Sequence, residues 1–228
     1  MIDHLPNWIN ILFLFTTIAT IIIFYLANGR SNKLILLFIT WSIVQSVLAY
    51  IGFYQDTQSI PPRFALILLP STLFIIYGLL PTPRKWILEN KNVQLSTFLH
   101  TIRVPMEFVL LYLFIYDMIP QLMTFEGRNF DIIAGVTALI VGMLYAKGKV
   151  SEKILLIWNV LGLILILFIL INGILSAELP IQQFAFEQPN RALNYFPYIL
   201  LPATVVPLVI YSHITDIIKL RSAINKLR

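Results

Sequence analysis

Long apolar stretches recur along nearly the whole chain, and they constrain its fold more than any other feature. Each stretch has roughly 18 to 23 residues, which is enough for a helix to cross a hydrocarbon core about 30 Å thick. Hydrophobic residues fill 58% and charged residues 12% of the 228 positions, whereas about 25% of an ordinary soluble domain is charged. We therefore predict an all-α integral membrane protein in which residues 1–228 form a single membrane domain.

The apolar stretches predict seven transmembrane helices with approximate boundaries. The first stretch is too long for the core of a signal peptide, and no Lys or Arg precedes it, so we expect it to be retained. Helices 1–3 occupy about residues 7–80, helix 4 forms a linker over about 96–118, and helices 5–7 occupy about 129–218. The individual predictions are 7–28, 33–54, 63–80, 96–118, 129–146, 153–175 and 195–218.

Basic residues concentrate in alternate loops and in the C-terminal tail, which predicts the orientation. The opposite side holds only Arg63, Arg128 and Arg191. Cytoplasmic loops are enriched in Lys and Arg, so we expect a cytoplasmic-membrane protein with its N-terminus outside and its C-terminus inside. This distribution also explains the pI near 9.5 without a nucleic-acid partner. The residues on the predicted inner side are Arg30, Lys33, Arg84, Lys85, Lys91, Lys147, Lys149, Lys153, Lys219, Arg221, Lys226 and Arg228.

The two ends of the chain resemble each other in sequence. Tyr25, Ser31 and Lys33 align with Tyr145, Ser151 and Lys153 when helices 1 and 2 are placed on helices 5 and 6. The run F-x-x-I-L-L-P-S-T at 64–72 likewise matches F-x-x-I-L-L-P-A-T at 196–204. These matches predict a parallel internal repeat in which helix 4 joins two three-helix halves.

This three-one-three plan resembles that of the PQ-loop and SWEET-type facilitators, and microbial rhodopsins share its helix count and orientation. Parallel repeats of this kind place the substrate site at their interface. The resemblance covers helix order alone, because no Pro-Gln pair opens helix 1 or helix 5 and helix 7 lacks an interior lysine for retinal. The Pro105-Met106-Glu107 tripeptide is similar to the Pro-x-Glu motif of membrane lycopene cyclases in two residues.

Helix 4 carries three polar residues that share one helical face, His100, Arg103 and Glu107. An unpaired charge near the membrane centre costs about 2.5 to 3.5 kcal/mol on insertion scales, so we expect Arg103 and Glu107 to pair inside the protein. Pro105 cannot donate to the carbonyl of Thr101, which predicts a kink with a free acceptor. Two interpretations remain open: a binding point for an ion or polar solute, and a structural lock.

Other polar residues within the predicted spans are candidates for the same site or for ordinary interhelical hydrogen bonds. The prolines at matching or interior positions are hinge candidates. At the outer face we expect Asn129 to cap helix 5 and Asp131 to favour the positive end of its dipole, and we read His213 and Asp216 as an interfacial pair. The site candidates are Gln45, Thr72, Thr137 and Asn159; the hinge candidates are Pro70, Pro105, Pro202 and Pro207; the outer-mouth candidates are Glu126, Arg128 and Asp131.

Three functional hypotheses follow. The leading one is a carrier or facilitator for a small polar solute or an ion, with its site between the halves near Glu107, Arg103 and Gln45. The first alternative is a membrane-embedded sensor or accessory subunit that binds a ligand or partner without moving it. The second is a lipid- or isoprenoid-modifying enzyme. No hydrolase, P-loop or dinucleotide motif occurs, cysteine is absent, and the three histidines have no metal-ligand spacing, so we expect neither cofactor nor metal.

Overall fold

The computed structural model describes residue 2 and residues 4–226, and this part of the chain forms helices and no strand. The prediction of an all-helical protein is confirmed. Asp3 and Arg228 lie outside the described residues. The helices are α1 (Asn7–Ala27), α2 (Asn32–Tyr50), α3 (Ala65–Leu79), α4 (Pro81–Asn90), α5 (Val93–Leu99), α6 (Arg103–Ile115), α7 (Asp131–Ala146), α8 (Glu152–Leu175) and α9 (Val206–Lys226).

Two irregular turns extend these helices. A 3-10 turn at His100–Ile102 joins α5 to α6, so that Val93–Ile115 runs as one segment, and a π-helix at Leu201–Val205 leads into α9. Five segments of the described chain are long and apolar enough to cross a membrane: α1, α2, α5 with α6, α8, and the π-helix with α9. A sixth results if α3 and α4, which meet at an angle of 76°, count as one span. The apolar helix α7 is shorter, at 16 residues.

The outward faces of the peripheral helices are apolar. On α8 the exposed side chains recur every three or four residues, as do those of α1, so each forms a continuous apolar stripe. Contiguous apolar surface of this extent is typical of a surface that contacts lipid or another protein rather than water. The exposed residues on α8 include Ile154, Ile157, Leu161, Ile164, Phe168 and Ile171.

Helix α9 lies at the centre of the bundle. Its Leu208, Val209 and Tyr211 are almost wholly buried, and it packs against α8, α1, α3 and α5. The Tyr211 ring comes within 2.5 Å of the position that a Cβ atom would occupy at Gly78. Because glycine has no side chain there, α3 approaches α9 closely enough for Tyr211 to fill the space between them.

Prolines account for three differences from the predicted helix boundaries. The segment predicted to be a loop after helix 3 forms α4, because Pro81 suits a first helical position and holds Leu80 extended, which breaks α3 from α4. The last helical segment begins at Leu201 rather than at residue 195, after Pro197. Pro105 lies in the first turn of α6, where no backbone donor is required, so the mid-helix kink predicted for helix 4 is replaced by the preceding 3-10 turn.

Candidate functional site

Polar side chains from four helical segments meet inside the bundle. We call Arg103, Asp131, Asn159, His213 and His100 the Arg103 cluster. His100 and Arg103 come from the segment joining α5 to α6, Asp131 from the start of α7, Asn159 from α8 and His213 from α9. Each of these five residues is at most 4% exposed. Since the outer faces of the helices are apolar, this buried cluster is a candidate for the polar chemistry of the bundle.

The Arg103 guanidinium is the centre of the cluster. Its Nη1 donates to Asp131 Oδ1 at 3.2 Å, both Nη atoms approach the Gly162 carbonyl at 3.4 Å, and Nη2 lies 2.8 Å from His213 Nε2. The predicted salt bridge between Arg103 and Glu107 is therefore wrong, because Arg103 pairs with Asp131. Asp131 takes that place because the start of α7 reaches the depth of Arg103, which a helix-face argument confined to helix 4 does not reveal.

The hydrogen bonds of His213 determine its tautomer. Its Nε2 faces the Arg103 guanidinium, which only donates, so Nε2 accepts. Its Nδ1 therefore carries the hydrogen and donates to Asn159 Oδ1 at 2.9 Å. A Cβ atom at Gly162 would lie 2.6 Å from the His213 ring, so glycine at this position of α8 is required for the ring to reach Arg103.

His100 stacks on His213. The ring centroids are 3.8 Å apart and the planes differ by 11°, while the Trp158 ring meets His100 edge-on at 5.5 Å. Both His100 nitrogens are buried and have no hydrogen-bond partner among residues 4–226. A buried polar atom without a partner loses its hydration without replacement, so His100 occupies this position at an energetic cost.

Glu107 lies one turn beyond Arg103 and contacts a different partner. Its Oε1 accepts from the Asn129 amide, which also donates to the Met123 carbonyl at 3.1 Å. Asn129 Oδ1 accepts from the Asp131 amide at 3.1 Å, close to the capping role predicted for Asn129, although α7 begins at residue 131. Glu107 Oε2 is buried and has no partner in the described part of the chain.

A largely apolar cavity adjoins Glu107. It has about 70 Å³ available to the centres of water-sized molecules, and it lies between Phe64 just before α3, α6, α8 and the π-helix with α9. Arg103, Glu107, Asn129 and Asp131 form its polar end, and the remaining wall is apolar. The apolar wall consists of Phe64, Ile102, Met106, Leu110, Met123, Ile166, Ile169, Leu170, Gly173, Ile174, Leu193, Leu201, Pro202, Val205, Val206 and Val209.

A second buried polar group lies toward the end of the bundle where α5 begins. Asp216 accepts from Ser96 Oγ at 2.6 Å and pairs with Lys91 Nζ at 3.4 Å. Lys91 Nζ also donates to Asn28 Oδ1 at 3.1 Å. Burial lowers the pKa of Lys91, and the Asp216 carboxylate opposes this shift. His213 and Asp216 do not form the predicted pair with each other, since both are fully buried and have separate partners.

Several predicted site residues lie apart from the Arg103 cluster. Gln45 Oε1 accepts from the Tyr54 hydroxyl at 2.5 Å. Thr72 is exposed and bonds within its own helix, and the half-buried Thr137 accepts from the Trp158 indole at 3.0 Å. Glu126 and Arg128 are exposed in the loop before α7, and of the three outer-mouth candidates Asp131 alone joins the cluster.

The matched prolines lie where the two predicted halves touch. Pro207 has no N–H, so the Ala203 carbonyl lacks its usual helical donor. Ser71, which follows Pro70, shares its one hydroxyl hydrogen between that carbonyl at 3.0 Å and the Ile67 carbonyl of its own helix at 2.9 Å. Thr204, which lies between Pro202 and Pro207, contacts the Ser42 hydroxyl at 2.8 Å. Hydroxyl groups of α2 and α3 thus stabilise the irregular start of the last helical segment.

Sequence reasoning missed the contributions of Asn129, Lys91 and Ser96 to buried polar networks. These three were read as loop or helix-end residues. The spacing of His213 and Asp216 on α9 was a usable signal, because two polar residues one turn apart in an apolar helix favour a buried face. Within residues 4–226, no group of His, Cys, Asp and Glu is arranged to hold a metal ion.

Comparisons with known proteins give a family and no activity. Residues 60–221 match a family model described as "Domain of unknown function (DUF8737)". The matched range includes every member of the Arg103 cluster and the whole lining of the cavity. No curated protein and no solved structure matches the chain.

Proposed function

The chain belongs to the DUF8737 family, and we propose that it binds, within the membrane, a small and mainly apolar molecule that carries one hydrogen-bonding polar end. The observation that carries this proposal is Glu107 Oε2, which lies buried at the polar end of an otherwise apolar cavity and has no hydrogen-bond partner in the described part of the chain, although the Phe125 backbone amide approaches the carboxylate. Buried polar atoms in proteins normally have partners. A ligand with a hydroxyl or amino group supplies the missing donor, and its apolar body suits the cavity wall.

The composition of the cavity favours this ligand over a freely water-soluble one. Binding pockets are mostly apolar and contain a few polar groups that orient the ligand. Here the polar groups lie at one end, so they orient one end of the ligand. A sugar or an inorganic ion requires polar contacts on all sides, which this wall does not offer. We therefore favour the ligand-binding role that the sequence suggested as an alternative, with the polar end of the ligand at Glu107.

Transport of the same molecule is the second candidate function. The cavity is lined by Phe64, which precedes α3, and by residues of α8 and the π-helix, which come from the two halves of the predicted repeat. Pro70, Pro202 and Pro207 lie at the contact between those halves, where the π-helix interrupts regular hydrogen bonding. Facilitators whose halves move against each other bind their substrate at such an interface.

The proposed topology is seven spans, with the N-terminus outside in the cytoplasmic membrane. α7 supplies the remaining span. The segment before it, which contains Met123 and Asn129, fills the outer part of the bundle beside Glu107. A parallel repeat is supported by Ser31 and Ser151, which align in sequence and cap α2 and α8 through bonds to Leu34 and Ile154 of 3.3 and 3.4 Å. The orientation rests on the distribution of Lys and Arg.

A panel of eight-carbon compounds tests the binding proposal. Octane, octanol, octylamine and octanoate share one apolar body and differ in the polar end. We expect octanol or octylamine to raise the melting temperature of the protein in lipid nanodiscs more than octane does, because only a bound ligand stabilises the folded state. Glu107→Gln removes the carboxylate, and it should reduce the shift given by the preferred compound.

The matched control is Glu126→Gln, which changes an exposed carboxylate in the loop before α7 and should leave every shift unchanged. Equal shifts for all four compounds, or equal shifts in both variants, would show that Glu107 does not recognise a polar end. Flux of the preferred compound across proteoliposomes then separates the two candidate functions. Binding without flux supports a sensor or accessory subunit, and flux lost in Glu107→Gln supports a carrier.

A further inference from the structure

A second groove lies between the start of α2, the end of α3 and α4, away from the Arg103 cluster. It has about 880 Å³ available to the centres of water-sized molecules and is open on one side. Arg30 and Lys33 line its rim, and Trp86 of α4 borders it. Leu34, Leu37, Phe74 and Ile87 form its apolar wall. The groove therefore combines basic groups at its rim with an apolar interior.

The ends of the apolar segments and the residue types around the groove are those expected at the boundary between lipid and water. The groove lies where α2 begins and α3 ends, which are the ends of two apolar segments. The 76° break at Leu80 turns α4 away from the direction of α3, and α4 exposes Arg84, Lys85 and Trp86. Tryptophan and basic side chains concentrate at the headgroup level of membrane proteins. A lipid of the adjacent leaflet can therefore enter the groove from the side.

The charge of the groove selects among lipids. Arg30 and Lys33 are exposed and have no salt bridge within the described chain. No acidic residue lines the groove, and Glu89 borders a shallow neighbouring depression together with Lys85. Basic residues next to a bilayer attract anionic headgroups, and Arg suits phosphate through two parallel hydrogen bonds.

We propose that this groove binds one anionic phospholipid, with its phosphate at Arg30 and Lys33 and the first part of its acyl chains against Leu34, Leu37 and Phe74. The proposal does not depend on the ligand of the Glu107 cavity, because none of these residues lines that cavity. It also does not depend on which side of the membrane is cytoplasmic. A bound lipid would hold α4 against α2 and α3, across the break at Leu80.

Native mass spectrometry of protein extracted from vesicles of phosphatidylcholine and phosphatidylglycerol in equal amounts tests this proposal. We expect phosphatidylglycerol to be retained in preference to phosphatidylcholine. The double variant Arg30→Gln/Lys33→Gln should lower this preference at least tenfold, since each basic residue near an anionic surface contributes about a fivefold preference. Both side chains are exposed, and the variant should keep the melting temperature of the parent protein.

The control is Lys147→Gln/Lys149→Gln, which removes the same charge from the exposed loop between α7 and α8. It should retain the preference for phosphatidylglycerol. Equal retention of the two lipids by the parent protein, or an equal loss in both double variants, would overturn the proposal. Binding of soluble glycerol 3-phosphate that needs Arg30 and Lys33, without any preference between the lipids, would overturn it as well and would indicate a site for a soluble anion.

Discussion

At the residue scale, the interior of this protein is held together by charges that have specific partners. Arg103 lies between Asp131, the Gly162 carbonyl and His213, and Lys91 lies between Asp216 and Asn28. Arg103 and Lys91 therefore each have an opposite charge and at least one neutral partner, whereas the buried Glu107 has the Asn129 amide and, among the described residues, no opposite charge within salt-bridge distance. This arrangement matters because an unpaired charge within the membrane is costly, and it makes each partner individually important for stability.

Asp131→Asn is expected to lower the free energy of unfolding by about 3 kcal/mol, because it leaves the buried Arg103 without its counter-charge. The matched control is Glu178→Gln. Its salt bridge with Arg191, at 2.6 Å, is exposed to about a third or more on each side, and such pairs contribute about 0 to 1 kcal/mol. Unfolding in mixed detergent micelles measures both variants. Equal losses would show that the Arg103 to Asp131 pair does not stabilise the fold more than a surface pair.

At the element scale, prolines decide where the helices end and how irregular turns are stabilised. Pro81 separates α3 from α4, and Pro105 is accommodated in the first turn of α6. Pro207 removes the donor that the Ala203 carbonyl would have four residues further on, and the π-helix ends just before Pro207. Ser71 supplies the donor from another helix. The irregular start of the last helical segment thus depends on a side chain of α3, which couples these two elements.

Ser71→Ala is expected to destabilise the protein by about 1 to 3 kcal/mol, because the buried Ala203 carbonyl loses its interhelical partner. The neighbouring Thr72→Ala provides the control. Thr72 is exposed, and its hydroxyl bonds only within α3, so its loss should stay within about 0.5 kcal/mol. Thermal unfolding of the two variants in the same lipid makes the comparison. An effect of Thr72→Ala as large as that of Ser71→Ala would contradict the proposed coupling.

At the scale of the whole molecule, the number of membrane spans depends on α7. Five segments are long and apolar enough to span, a bent pair would add a sixth, and α7 is an apolar helix of 16 residues. These residues extend about 24 Å as a helix, somewhat less than a hydrocarbon core of about 30 Å. The polar start of α7 is buried at Asp131 rather than exposed. The segment before α7 therefore completes the outer part of the bundle in the proposed topology.

Two single-cysteine variants test this topology, since the chain contains no cysteine. We expect a membrane-impermeant maleimide to label Glu126→Cys in intact cells, and Lys149→Cys only after the membrane is permeabilised. These positions flank α7 and are exposed. Labelling of both from the same side would show that α7 does not cross the membrane, and labelling on exchanged sides would reverse the proposed orientation.

The sequence by itself determined the helical, membrane-compatible character of this chain, because long apolar runs have few ways to satisfy their backbone other than as helices in lipid. It also located most helices and identified the polar face of His100, Arg103 and Glu107, since both depend on local periodicity. Tertiary structure alone decided the partners. Asp131 rather than Glu107 pairs with Arg103, and His213 and Asp216 turn inward, because such contacts depend on the depth and rotation of helices far apart in the chain. Gln45 and Thr72 show the same limit. The sequence placed both within apolar spans, but it did not determine in which direction each side chain points.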